Sequence, residues 1–240
     1  GEAVNREGAS LPFKCLSRVD LLNRPGEVEA LRAAGARTVW VGAESGSQKI
    51  LDAMDKGTQV EQIYTAARRL QDAGIQVGFF LQFGYPGETR EDIEKTLQMV
   101  RDCNPDDIGI SVSYPMPGTK FFAAVQAQLG VKQNWQDSSD LAMLHQGSYS
   151  TAFYRQLHTV VHKEFRARKA GQALRQPLQA RRLPGLTTTA RQAVRLVYHR
   201  LSLPAARRKL DRLAGAPRPA LALPHLPHDQ AARPTPQEPR

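Results

Sequence analysis

Apolar runs and polar breaks alternate along the first half of the chain at intervals of roughly thirty residues. Leu11 to Val19 (LPFKCLSRV) reads as a strand with Asp20 at its end. Pro25 follows where a first helical turn tolerates proline, and EVEALRAAG places Val28, Leu31 and Ala34 on one helical face, with Gly35 as the stop. TVWVGAES is a second strand, and QKILDAMDKG is helical up to Gly57. Thr58, with Glu61 three positions on, predicts a capping box for a helix that carries Val60, Ile63, Tyr64, Ala67 and Leu70. IQVGFFLQFG is a third strand, apolar nearly throughout, as expected where both faces are covered. After a YPGET turn, Thr89 and Asp92 cap a helix with Ile93, Leu97 and Val100 in register. NPDD turns the chain into a fourth strand, DIGISVSYP, which Pro115 and Pro117 end.

Strand, helix, strand, helix, strand, helix, strand is the signature of a parallel β/α fold, either an open doubly wound sheet or a TIM-like barrel. Both gather their chemistry at the C-terminal ends of the strands. Asp20, Glu44, Gln82 and Tyr114 are predicted to lie there.

The pattern changes after Gly118. TKFFAAVQAQLG predicts a short helix. A loop leads to a long helix from about Thr151 with a Leu157, Val160, Val161, Phe165 stripe, and two basic helical patterns cover 188–201 and 204–213. From Gly215 the chain is rich in Pro and Ala and predicts disorder. The expected organisation is an α/β partial barrel over 1–125, a helical extension over 126–213 and a disordered tail over 214–240.

Charge divides the chain the same way. Residues 151–240 hold 18 Lys and Arg against 4 Asp and Glu, a net of +14, whereas residues 1–150 carry a net of −4. The basic third suits RNA or an anionic membrane surface through counterion release, although aromatics for base stacking are few there, and TARQAVRLVYHRL could lie on a membrane. An arginine-rich helical appendage is the plainer reading. No run of apolar residues is long enough to span a bilayer, and the N-terminus has no signal pattern. The chain opens on Gly rather than Met, which points to a processed or partial chain. Cys15 and Cys103 are too far apart in sequence for a metal knuckle and read as small buried hydrophobes, in keeping with a cytoplasmic protein. His158 and His162 have the four-residue spacing of a ligand pair but lack the Glu of an H-E-x-x-H motif.

Three blocks carry candidate chemistry. GAESGS ends a strand in a carboxylate, Glu44, that can accept hydrogen bonds from ribose hydroxyls or an ammonium group; capping the next helix is its structural alternative. GFFLQFGYPGE sets Gly84 and Gly87 around a Tyr-Pro turn. SVSYPMPGT exposes backbone groups at a strand end, suited to the edge of a flat heterocycle.

Together these blocks, with SRVD, YPGET and YPMPGT, resemble the radical S-adenosylmethionine superfamily, and in particular members that carry an upstream cobalamin-binding domain. The resemblance is strong over roughly residues 10–125. It implies a radical enzyme, a methyltransferase, a cyclase or a relative, in which a 5′-deoxyadenosyl radical attacks a small-molecule substrate. It implies S-adenosylmethionine held by Glu44, Ser45, Gln82, Gly84, Ser113 and Tyr114, a [4Fe–4S] cluster, cobalamin from an upstream domain, and an electron donor such as flavodoxin or ferredoxin. The family's C-x-x-x-C-x-x-C motif is absent from the chain. The expectation is therefore a C-terminal portion, inactive without an N-terminal half that carries the cluster. The alternatives are a cluster-free nucleoside-binding β/α protein and a nucleic-acid- or membrane-surface-binding module led by the basic end.

Overall fold

The computed structural model describes residues 11–129, 141–179 and 186–215. Four strands, β1 (Phe13–Ser17), β2 (Ala36–Glu44), β3 (Gln76–Phe83) and β4 (Asp107–Val112), form one sheet in the order β1-β2-β3-β4. Every neighbouring pair is parallel. Helices α1 (Val19–Leu22), α2 (Glu27–Ala33), α3 (Gln48–Ala53), α4 (Val60–Asp72) and α5 (Arg90–Cys103) make the crossovers. A short α6 (Lys120–Val125) follows β4, and two long helices, α7 (Thr151–Gln179) and α8 (Leu186–Ala214), complete the described chain.

Side chains alternate across the strands, so each strand offers one face to the helices. Val39, Val41 and Ala43 of β2 and Val77, Phe79, Leu81 and Phe83 of β3 are buried in the main core. Fully burying one of these phenylalanines contributes about 2–3 kcal/mol, and Phe79→Ala would cost about 3–5 kcal/mol. The same core continues through Ile93 and Leu97 of α5 to Phe153, Tyr154 and Leu157 of α7 and Leu210 of α8.

Among the described residues no helix covers the other sheet face, which carries large apolar side chains. Leu16 is 72% and Phe80 40% exposed. Trp40 stacks on Phe80 with ring centroids 4.7 Å apart. Glycines make this possible: a Cβ at Gly78 would collide with the Trp40 indole, and one at Gly109 would press on Phe80. In a closed β/α barrel this face is the interior.

Several sequence expectations need correction. Asp20 does not end β1; it sits in α1 and pairs with Arg18 at 2.9 Å. Thr58 does not cap α4. Its hydroxyl turns back to the Lys56 carbonyl, and Gln59 takes the N-cap, its N–H donating to Gln62 Oε1 at 2.9 Å. The two basic helical patterns are one helix, α8, which runs through Pro204. Pro204 lies on the exposed side. The opposite side holds the helix in place: Ala206 and Leu210 are buried, and the Gln156 amide donates to the Ala206 carbonyl at 2.9 Å. β4 ends at Val112, short of the predicted Pro115. The segment expected to be disordered lies, from residue 216 on, outside the described residues.

Candidate functional site

β2 ends irregularly. Its register with β3 slips between Gly42 and Glu44, which leaves Ala43 as a bulge. Glu44 then adopts φ 55°, a left-handed conformation that costs a residue with a Cβ about 1–2 kcal/mol. This turn folds the carboxylate back over the uncovered face, above Gly42. A Cβ on Gly42 would lie 3.0 Å from Glu44 Oε1, so the glycine clears the carboxylate's place. Lys56, from the turn after α3, donates to the same oxygen at 2.8 Å.

The next two strand ends meet this corner. The Gln82 amide donates to Ser113 Oγ at 3.1 Å, and Ser113 N–H donates to the Phe83 carbonyl at 2.8 Å. Gln82, Tyr114 and Lys56 line one cleft of about 330 Å³, together with Tyr85, Met116 and Phe121. Tyr85 stacks on Phe121 at 5.1 Å and anchors its hydroxyl on the Ala53 carbonyl at 2.7 Å. The cleft thus has aromatic walls, an amide edge and a charged pair at its rim. That is the composition of a pocket for a flat polar ring bearing hydroxyl or ammonium groups.

Two of the six residues singled out from the sequence face elsewhere. Ser45 is fully buried; its hydroxyl lies 3.1 Å from Thr96 Oγ1 on α5 and accepts from Ser47 N–H. Gly46 N–H also donates to Thr96 Oγ1, and a Cβ there would run into the Lys95 carbonyl. The stretch Ser45–Ser47 is therefore a joint between β2 and α5. Gly84 is buried as well. Its N–H donates to Glu88 Oε2 at 2.7 Å, and its carbonyl lies 3.2 Å from His145 Nε2. Both backbone groups are thereby taken up inside the protein.

The carboxylates behind this edge differ sharply. Burial pushes Asp92 up, but donors from Ser47, Thr89 and Lys49 more than offset it and bring the group down to about 2. Burial pushes Glu88 up to about 8, against a single backbone donor. Lys56 and Phe121 had no sequence signal of a site, and Tyr85 and Glu88 lay inside the GFFLQFGYPGE block without being singled out. They arrive from turns and the short α6, where no periodicity marks an inward side chain.

The residues do not fit an iron–sulfur cluster. Cluster ligands are thiolates, whereas burial raises the pKa of Cys15, in β1, and pushes Cys103, at the end of α5, up to about 12. Among the described residues no three His, Cys, Asp or Glu side chains gather as metal ligands. His158 and His162 lie with rings 4.3 Å apart, and burial lowers both their pKa values.

A parallel β/α sheet with a polar cleft at its C-terminal edge defines a barrel-type enzyme scaffold. The profile of the Radical SAM superfamily matches residues 4–100 of the chain. An uncharacterized methyltransferase of Pyrococcus horikoshii is 30% identical over 134 residues, 55% of this chain and 29% of that protein. The anaerobic magnesium-protoporphyrin IX monomethyl ester cyclase of Rubrivivax gelatinosus is 34% identical over 103 residues, 43% of this chain and 19% of that protein. The chain thus spans less than a third of the length of these relatives. The cobalamin-dependent S-adenosylmethionine radical enzyme OxsB, solved with aqua-cobalamin and S-adenosylmethionine, superposes with a TM-score of 0.50 over 83% of this chain and 35% of its own. At 16% identity that likeness is one of fold. Among the described residues no helix is long and apolar enough to cross a membrane.

Proposed function

We propose that the chain supplies the S-adenosylmethionine-holding part of a radical enzyme whose cluster-binding cysteines lie on another segment of the same protein. One observation carries this reading: Glu44 is held in a left-handed conformation at a bulge, over a glycine, beside the cleft lined by Gln82 and Tyr114. Strained carboxylates at strand ends are kept where a ligand needs them. Glu44 would accept from ribose hydroxyls or the ammonium group, exchanging its Lys56 partner for the ligand. Gln82 and the backbone near Ser113 and Tyr114 would hold the adenine edge. Ser45 and Gly84 would stiffen the site from behind.

The uncovered apolar face supports a second segment. Leu16, Trp40 and Phe80 would pack against the strands that complete the barrel, or against substrate. When bound with a reduced cluster, the cofactor supplies radical chemistry. The chain's part is to orient it and to keep water from the cleft. The names of the relatives, a methyltransferase and a cyclase, favour methyl transfer or ring closure on a small molecule; on this reading cobalamin would be held by an upstream domain and a flavodoxin- or ferredoxin-like protein would supply the electron. On this reading the 240 residues alone are inactive.

The test is equilibrium binding of S-adenosylmethionine to the longer protein, reconstituted anaerobically, with Glu44 and with Glu44→Gln. A charged hydrogen bond contributes about 1.5–3 kcal/mol, so affinity should fall roughly tenfold or more, with an unchanged circular dichroism spectrum. Equal affinity would remove Glu44 from the site. Tight binding by the 240-residue chain alone would favour a cluster-free nucleoside-binding protein.

A further inference from the structure

The outer face of α8 bears a feature that a radical enzyme's cleft does not explain. Val194, Val197, Tyr198 and Leu201 follow one another at helical spacing and are 69%, 55%, 59% and 77% exposed. The inner face of the same helix is already satisfied, with His199, Ala206 and Leu210 buried. The stripe is thus a second apolar face, over about 16 Å of helix at 1.5 Å per residue from Arg191 to Leu201.

Its surroundings carry one sign of charge. Arg191, Arg195 and Arg200 flank the stripe, and Arg208, Lys209 and Arg212 continue along the exposed helix. The helix holds one acid, Asp211, and that is taken by Arg90 at 3.0 Å. From α7, Lys163 reaches across with its ammonium 4.6 Å from the centre of the Tyr198 ring. Tyrosine with an apolar body and a polar tip suits a water–lipid boundary.

We propose that this face docks α8 on the surface of an anionic bilayer. The aliphatic side chains would enter the acyl boundary while the arginines meet lipid phosphates. Charge and shape choose this occupant. A nucleic acid would match the arginines but gain nothing from three aliphatic side chains. A partner helix would match the stripe but would need acids on both of its flanks. An anionic bilayer meets both requirements. The site is independent of the cofactor cleft.

The experiment is co-sedimentation of the full chain with vesicles of phosphatidylcholine alone and with one-quarter phosphatidylglycerol. Each cation near an anionic surface adds about a factor of five in affinity. Arg191→Gln/Arg195→Gln/Arg200→Gln should therefore lower binding roughly a hundredfold, and high salt should weaken the wild type. Val194→Ser/Val197→Ser/Leu201→Ser should lower it at least tenfold, with an unchanged circular dichroism spectrum, because the three side chains are exposed. Absence of binding to the anionic vesicles would overturn the proposal. So would binding that the serine variant leaves intact, or tighter binding to single-stranded RNA that only the arginine variant weakens.

Discussion

Glu88→Gln should remove a pH-dependent weakness from the fold. Glu88 closes the Tyr85–Glu88 turn and is 1% exposed. Its Oε2 accepts from Gly84 N–H at 2.7 Å, while Oε1 and the nearby Tyr154 hydroxyl are buried without hydrogen-bond partners. Burial, with the Asp92 charge adding to it, pushes the carboxyl from its ordinary 4.5 up to about 8. The direction of the effect follows from proton counting. Below pH 4.5 folded and unfolded chains both hold the proton. Between 4.5 and about 8 only the folded chain does, so each pH unit favours unfolding by about 1.4 kcal/mol. By pH 7.5 the loss is about 4 kcal/mol, a large share of a domain's usual 5–15 kcal/mol. Glutamine is neutral throughout and keeps an acceptor for Gly84. Urea unfolding of both proteins between pH 5 and 7.5 reads the difference directly, and groups common to both cancel. The variant should match the wild type near pH 5 and exceed it by about 3–4 kcal/mol at pH 7.5. Parallel stability curves would refute a protonated, buried Glu88.

Gly46→Ala should destabilise the fold by about 1–3 kcal/mol or more, because the added carbon meets the rigid Lys95 carbonyl; denaturant titration measures it. Thr89→Ala should cost about 1 kcal/mol by removing the hydroxyl that accepts from Asp92 N–H at the start of α5, and the same titration checks it. Gly42→Ala should leave stability within about 1 kcal/mol, since only the mobile end of Glu44 must move. In the reconstituted longer protein it should nevertheless weaken S-adenosylmethionine binding, measured by equilibrium dialysis, if the Glu44 carboxylate is a contact.

The β/α order was legible because each strand and helix declares itself by period. Val39, Val41 and Ala43 alternate, and Ile93, Leu97 and Val100 recur at helical spacing. The Thr89–Asp92 cap was legible too, because both partners are local, and the structure shows both bonds. At Thr58 the same rule misled, since a hydroxyl can be drawn back to the turn behind it while a glutamine further on reaches the cap. Pro204 misled for a different reason. Packing of Ala206 and Leu210 against the core outweighs one lost backbone bond on the solvent side, and no local rule contains that balance. At the candidate site the positions of Glu44 and Gln82 were readable as strand ends. The directions of Ser45 and Gly84 were not, because a bulge and a left-handed turn break the alternation from which direction is inferred.

That break also explains why the cleft and the helical extension form one structure. Each motif at the strand ends has a front and a back. Glu44 pairs with Lys56 at the cleft's edge, and Ser45 to Ser47 fasten its rear to α5 through Thr96 and Asp92. Tyr85 lines the cleft, and Gly84 and Glu88 fasten its rear to the segment before α7 through His145. A Cβ on Gly84 would lie 2.9 Å from Met143 Sδ, so the extension packs directly on the turn. Beyond it, Glu164 of α7 accepts from Arg101 of α5 at 2.5 Å and from Arg207 of α8 at 2.6 Å, tying three helices together. The extension is thus the back wall of the candidate site, and its basic outer face is the part left over for something else.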